Sequence, residues 1–214
     1  SSANTVRVLT YNIHSCIGMN RQVFPKRIAR VIDSLEPDVV ALQEVDKGQS
    51  RSGWQNQAAV LADYLEMEHR FFPLIHGSEG EYGLAMLSRL PVEEVRCGVF
   101  DAYRPQKEEP RGAMWMKVTA PRGEIHCINT HLSVYPNERR RQIDTLMGRG
   151  WLGAVPAGAQ VILCGDMNAG PRSYVYHKLS SQLRDVQADT APRTPRGTFF
   201  SGNPVMRIDH IFVS

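Results

Sequence analysis

Residues 161–168 read Val-Ile-Leu-Cys-Gly-Asp-Met-Asn. Four apolar residues in succession predict a strand over Val161–Gly165 that is buried on both faces. Asp166-Met167-Asn168 then places a carboxylate and an amide at the strand's mouth. A side chain there is held by a rigid element yet can face a cleft, which suits catalysis or metal binding. Residues i and i+2 of a strand share a face, so Asp166 and Asn168 point into one site if extended geometry persists that far. Taken alone, Asp-x-Asn reads more simply as a turn, because both residues cap their own backbone.

The same ending recurs along the chain. Thr10-Tyr11-Asn12 closes a strand over 6–12, and Leu42-Gln43-Glu44 closes one over 39–44. Asn129-Thr130-His131 closes another over 124–130, with Asn129 and His131 on one face. Arg207-Ile208-Asp209-His210 interrupts a last strand over 207–213. Glu44, Asp166 and Asp209 with Asn12, Asn168 and His131 make an oxygen-rich set, suited to Mg²⁺ or Mn²⁺ rather than Zn²⁺. The sequence has no His-Glu-x-x-His, no G-x-x-x-x-G-K-[ST] loop and no G-x-S-x-G elbow, which argues against zinc peptidases, P-loop enzymes and α/β-hydrolases.

Between these endings, further strands are expected around 84–88, 92–100 and 113–119. Pro25 stands at a first helical position, with Ile28, Val31, Ile32 and Leu35 at helical spacing before Pro37 stops the helix. Trp54, Ala58, Leu61, Ala62 and Leu65 form a second helical stripe. Helices are also expected over 137–148 and 173–183, and 188–204 reads as a long loop rich in Pro, Gly and Thr. Some strands are separated by helices and others follow directly, so a layered α/β (α+β) domain with both parallel and antiparallel pairing is expected. No shift in composition marks a boundary, so residues 1–214 are read as one domain.

Composition sets outer limits. The 214 residues are 42% hydrophobic and 22% charged, which fits a packed chain and not a disordered or fibrous one. With 25 Lys+Arg against 22 Asp+Glu the net charge is +3, too weak to imply a nucleic-acid partner by itself. No apolar run approaches the roughly 20 residues of a membrane-spanning helix, and the first residues carry no apolar signal segment. Cys16, Cys97, Cys127 and Cys164 form no C-x-x-C pair and read as reduced cysteines of a cytoplasmic protein.

Six segments taken in order carry a resemblance. "TYNIH" at Thr10, "LQEV" at Leu42, "LSRLPV" at Leu87, "NTHL" at Asn129, "GDMNAGP" at Gly165 and "RIDHIFVS" at Arg207 resemble the motifs of the endonuclease/exonuclease/phosphatase superfamily. That superfamily includes deoxyribonuclease I, exonuclease III, neutral sphingomyelinases and inositol-polyphosphate 5-phosphatases. The resemblance implies a deoxyribonuclease I-like four-layer α/β sandwich: two packed, mainly antiparallel sheets flanked by helices. It also implies divalent-metal-dependent hydrolysis of a phosphoester. Glu44 then corresponds to the metal-ligand Glu, and Asn12 to the Asn supporting the metal and phosphate. Asp166 corresponds to the Asp that orients or deprotonates the attacking water, and Asn168 to the phosphate-binding Asn beside it. His131 corresponds to a His that contacts the phosphate or assists the leaving group, an imidazole able to exchange protons near neutral pH, Arg111 to a phosphate-contacting Arg, and Asp209 to the Asp that orients a later His.

The pattern departs at that later His. A Ser-Asp-His motif is expected after the Asp209 strand, and none occurs in these 214 residues. His210 is a poor substitute, since strand neighbours point apart. The expectation is a domain lacking its C-terminal strand and that motif, and therefore slow. Other residues have plainer readings. Arg139, Arg140 and Arg141 form either a phosphate cluster or a solvated helix face. Arg111 could pair with Glu108 or Glu109. Trp115 and Trp151 read as core, Trp54 as core or cleft rim, and His14 as a surface loop residue. Arg193 and Arg196 sit in the long loop, where they could shape substrate choice. The expected substrate is a phosphoester, with a lean towards a small or lipid-derived phosphodiester. The alternatives are a nuclease acting on DNA or RNA, and a binding protein that keeps the fold without hydrolysis.

Overall fold

A computed structural model describes residues 5–102, 109–190, 196–199 and 204–214. Ten strands are described: β1 (Val8–Asn12), β2 (Val39–Lys47), β3 (Glu68–Gly77), β4 (Gly80–Ser88), β5 (Val92–Val99), β6 (Gly112–Ala120), β7 (Gly123–His131), β8 (Gln160–Asp166), β9 (Arg184–Asp185) and β10 (Asp209–Val213). Five helices accompany them: α1 (Pro25–Asp33), α2 (Gln57–Leu65), α3 (Pro136–Leu146), α4 (Tyr174–Ser180) and α5 (Val186–Thr190). The strands form a four-stranded sheet in the order β1-β2-β4-β3 and a six-stranded sheet in the order β5-β6-β7-β8-β10-β9. Only β1–β2 and β7–β8 are parallel among these pairings.

Three apolar clusters fill the spaces between four layers. Ala29 and Ile32 of α1 and Ala58, Leu61 and Leu65 of α2 pack on Val40, Leu42, Ala85 and Leu87, the outer face of the small sheet. Ile143 and Leu146 of α3 and Val175 and Leu179 of α4 pack on Trp115, Ile128, Leu163 and Phe212, the outer face of the large sheet. Val39, Leu84 and Met86 meet Met114, Met116 and Cys127 between the sheets. Successive strand residues thus serve opposite interfaces, as the period of two requires. Each fully buried side chain contributes roughly 1.5–3 kcal/mol. The four-layer sandwich is as the resemblance implies.

Several sequence expectations change in detail. β3 has no counterpart among the expected strands. It contains Pro73, and its register with β4 shifts between Pro73 and Ile75. Proline is tolerated in such a bulged edge strand but obscures the strand pattern. Trp54 does not join the α2 stripe. Asn56 caps α2, its side chain accepting from the Ala59 N–H, while Trp54 stays 63% exposed with φ +62°. Val31 of α1 and Leu35 beyond its end are exposed, and Ala29 takes the buried place beside Ile32. The start of the expected loop, through Thr190, belongs to α5. Glu108 and Arg193 lie outside the described residues. All four cysteines are free.

Candidate active site

Strand pairing aligns the carboxylates before any side chain is considered. Across the large sheet His131 of β7 stands opposite Asp166 of β8, and Asp166 stands opposite Asp209 of β10. Cross-strand partners share a face, and this row lies on the face turned to the small sheet, because Cys127 of β7 and Ile162 of β8, on that face, belong to the intersheet core. The row is drawn tight by Gly165, whose φ is +144° and whose hypothetical Cβ would lie 1.9 Å from the Thr130 carbonyl oxygen. Only glycine allows that approach of β7 to β8.

The small sheet supplies the opposing groups. β2 pairs regularly with β4 up to Leu42 and resumes at Val45, so a bulge falls at Gln43 and Glu44. Glu44 takes φ +56°, a left-handed conformation costly for a non-glycine residue. A bulge re-aims a side chain, and here Glu44 turns towards the end of β1. Asn12 stands there and bridges the sheets: its amide N–H groups donate to Glu44 Oε1 at 2.8 Å and to Asp166 Oδ2 at 3.0 Å. The Asn12 carbonyl oxygen accepts the His14 N–H at 3.1 Å. Below this, Gln43 donates to Asn129 Oδ1 at 2.8 Å, and Asn129 donates to the carbonyls of Leu42 and Ala85, both at 3.0 Å. Asn129 therefore clamps the two sheets under the site instead of facing a ligand.

Asp166 and Asn168 share the site, but not by continued extension. β8 ends at Asp166, whose Oδ1 accepts the Asn168 N–H at 2.9 Å in a turn. Asn168 has φ +46° and donates to the Leu132 carbonyl at 2.9 Å, which places its amide 3.2 Å from His131 Nε2. His131 is 2% exposed, and a terminal nitrogen of Arg111 lies 3.3 Å from its Nδ1. Neither the guanidinium at Nδ1 nor the Asn168 amide N–H at Nε2 can accept, so the neutral ring takes a hydrogen bond from only one of them. Burial, with the Arg111 charge second, lowers His131 to about 3. Its 3.8 Å approach to Asp166 is thus the contact of a neutral imidazole, not an ion pair. Burial and the Arg111 charge thus work against the proton exchange near neutral pH expected of His131.

The carboxylates divide by environment. Burial raises Glu44, but hydrogen bonds from His14 and Asn12 outweigh it and hold the group at about 2. Burial, with the Glu44 charge adding to it, raises Asp166 against its bonds from Asn12 and Asn168. Asp209 is pushed up to about 6, first by burial and next by the Asp166 charge facing it. One anionic carboxylate beside two that hold protons more tightly is a pattern suited to metal binding plus proton handling.

His14 is the residue that sequence reasoning undervalued. Its Nδ1 lies 3.1 Å from Glu44 Oε2, and it lines both the cleft that holds Glu44 and Arg111 and the cleft that holds Asn12, Asp166 and Asp209. Its φ of +46°, shared with Ser15 and Cys16, belongs to a tight turn invisible in an ordinary His-Ser-Cys string. His210 is buried on the other face of β10, its Nε2 donating to the Ala169 carbonyl at 2.7 Å and its ring against Tyr176 and Phe212. Arg139 donates to the Ser133 and Val134 carbonyls and Arg140 stacks 4.1 Å from the Tyr174 ring centroid, so this pair serves packing. Arg111 is buried and paired with Glu109 at 2.5 Å, and its Nε has no hydrogen-bond partner among the described residues.

The family model described as endonuclease/exonuclease/phosphatase family matches residues 9–214. The chain belongs to the endonuclease/exonuclease/phosphatase family. It is 29% identical to YbhP of Escherichia coli (strain K12) over 218 residues, covering 97% of this chain and 84% of that protein. Among solved structures, the mannosyl-6-phosphatase Bt3783 of Bacteroides thetaiotaomicron superposes with a TM-score of 0.76 at 19% identity, covering 98% of this chain and 85% of that one. The human Nocturnin catalytic domain superposes with a TM-score of 0.73 at 21% identity, covering 98% and 81%. At these identities the likeness is one of fold. Among the described residues, no helix is long and apolar enough to cross a membrane.

Proposed function

We propose that this family member is a divalent-metal-dependent phosphoesterase that directs water in line at phosphorus. One observation carries the reading: Glu44 from the small sheet and Asp166 from the large sheet meet on the single amide of Asn12, at 2.8 and 3.0 Å. Nothing in packing requires two carboxylates to converge there, and a strained Glu44 backbone is kept to achieve it.

The donor set fits Mg²⁺ or Mn²⁺. No three His, Cys, Asp or Glu side chains among the described residues form a closed cage. An open, oxygen-only set around one anionic carboxylate is the manner in which Mg²⁺ binds, with water and substrate phosphate completing its shell. Glu44 would hold the ion, and Asn12 keeps Glu44 and Asp166 in place. The bound ion supplies Lewis-acid polarisation of a phosphoryl oxygen. Asp166, held above the ordinary carboxylate range, accepts a proton from the attacking water. The His131 ring and the Asn168 amide stand where phosphate oxygens would lie, and Arg111 brings a fixed positive charge with an unspent Nε–H. Such preorganised donors act most strongly in a site shielded from water. The kinship in fold with a mannosyl-6-phosphatase supports a small phosphomonoester. Four free cysteines fit a reducing, cytoplasmic setting.

The test separates the two roles. Calorimetry with Mn²⁺ should show affinity strongly reduced in Glu44→Gln and nearly retained in Asp166→Asn. Turnover of p-nitrophenyl phosphate should fall on the order of 10²- to 10⁴-fold in Asp166→Asn through kcat, with KM little changed. Equal Mn²⁺ affinity in Glu44→Gln, or unchanged kcat in Asp166→Asn, refutes the assignment.

A further inference from the structure

Two residues beyond Glu44 on β2, a second carboxylate is buried outright. Asp46 is fully buried, and Arg51 grips both its oxygens, from Nε at 2.9 Å and from Nη2 at 2.7 Å. A buried ion pair adds little net stability, because apolar side chains of similar volume would fill the place as well or better. What the pair supplies is a fixed guanidinium, planar and bidentate, held a second time over the Tyr82 ring with Cζ 5.3 Å from the centroid. From there Nη2 donates to Ser15 Oγ at 3.3 Å. Gln57, the first residue of α2 and also fully buried, makes a parallel link. Its Oε1 accepts the Asp46 N–H at 3.0 Å, and its Nε2 donates to the Ser15 carbonyl. Asp46 is thus tied to Ser15 twice.

Ser15 is the middle of a run that needs tying. His14, Ser15 and Cys16 take φ of +46°, +53° and +56° in succession. Left-handed backbone is ordinarily visited by single residues, and three non-glycine residues in a row persist only where their surroundings over-determine them. This run makes two contacts with the candidate site. The His14 N–H donates to Asn12 Oδ1 at 3.1 Å, which fixes the Asn12 amide with its nitrogen towards Glu44 Oε1 and Asp166 Oδ2. The His14 ring places Nδ1 3.1 Å from Glu44 Oε2, the oxygen that Asn12 does not take. A carboxylate accepts only, so Nδ1 is the donor. Both oxygens of Glu44 are therefore oriented by groups that depend on one turn, and that turn is held from β2 and α2. Arg51 also lines the cleft beside Glu44 and Arg111, but its Nε and Nη2 are committed to Asp46 and Ser15.

We propose that Asp46, Arg51 and Gln57 are positioning residues for the metal site: through Ser15 they hold the left-handed turn that sets His14 and Asn12 on Glu44. The inference rests on the reading of Glu44 as the metal ligand. Removing a group that orients a metal's ligands typically weakens binding roughly 10- to 100-fold. Calorimetric titration with Mn²⁺ should therefore show affinity about tenfold or more weaker in Arg51→Lys and in Gln57→Met. Lysine keeps a cation for Asp46, and with it the fold, but lacks the fork that reaches Ser15. At matched Mn²⁺ occupancy, turnover of p-nitrophenyl phosphate should fall through kcat with KM little changed. Ile143→Val, in the core on the far side of the large sheet, should lower stability in urea and leave Mn²⁺ affinity at the parent value. Parental Mn²⁺ affinity in either Arg51→Lys or Gln57→Met overturns the proposal. So does a rise in KM alone, which makes Arg51 a substrate contact, or an equal loss of affinity in Ile143→Val, which makes the effect one of general stability. In each of these cases the parent protein still binds Mn²⁺ and turns over substrate. A parent that does neither sinks the phosphoesterase reading beneath.

Discussion

Replacing Asp209 by Asn should stabilise the metal-free protein at alkaline pH and do nothing at acid pH. Asp209 stands opposite Asp166 across the β8–β10 pair, and burial together with that facing charge pushes it from 3.8 up to about 6. The folded carboxyl thus holds its proton more tightly than the unfolded one. Its contribution favours folding below pH about 4 and is lost as pH rises through about 6. Two pKa units at about 1.36 kcal/mol each correspond to about 3 kcal/mol, and partial exposure reduces the measurable part to about 2 kcal/mol. Asn keeps the shape and an acceptor oxygen while removing the charge, which also relieves Asp166. For a chain of this length 2 kcal/mol is a Tm increase of about 4–8 °C. The assay is thermal and urea unfolding of EDTA-treated protein from pH 4 to pH 8. The variant should exceed the parent at pH 8, and the two curves should converge near pH 4. An increment that is absent at pH 8, or equally large at pH 4, refutes the placement of partly exposed Asp209 opposite buried Asp166.

Other expectations follow from single contacts. Gly165→Ala forces a methyl against the Thr130 carbonyl at a backbone angle reserved for glycine, and it should cost about 3 kcal/mol or more in urea unfolding; a neutral result would mean that β7 and β8 separate freely. Asn129→Ala removes one acceptor of the Gln43 amide and the side-chain donor to the Leu42 and Ala85 carbonyls between the sheets, with an expected loss of about 3 kcal/mol, and retained stability would show the clamp to be dispensable. No described histidine pairs with Asp209, which lines a cleft of about 340 Å³ beside β1. Added imidazole should therefore raise phosphoesterase turnover about tenfold or more at neutral pH, and Asp209→Asn should abolish the effect; an imidazole response independent of Asp209 would remove that residue from the proton pathway.

The sequence by itself determined that Asn12, His131 and Asp166 end strands and which faces those strands bury, whereas Glu44 falls at a bulge inside β2 and Asp209 begins β10. Val161–Gly165 is apolar throughout because helices cover one face of β8 and the other sheet covers the second, so burial wrote itself into composition. Asp166, His131, Asp209, Glu44 and Asn12 were legible as a set because polar residues at the mouths of buried strands are costly unless they serve something. What tertiary structure alone decided is how those mouths meet. The register that aligns His131, Asp166 and Asp209 comes from pairings of residues 35 and 43 positions apart, His131 with Asp166 and Asp166 with Asp209. The aim of Glu44 comes from a bulge set by β4, and the neutral state of His131 from burial beneath Arg111. Local pattern carries no record of these, because protonation and left-handed backbone angles respond to neighbours that only folding brings close. The same holds for Trp54, whose spacing fits a helix that the Asn56 cap starts two residues later, and for His14, an ordinary loop residue until the fold sets it against Glu44.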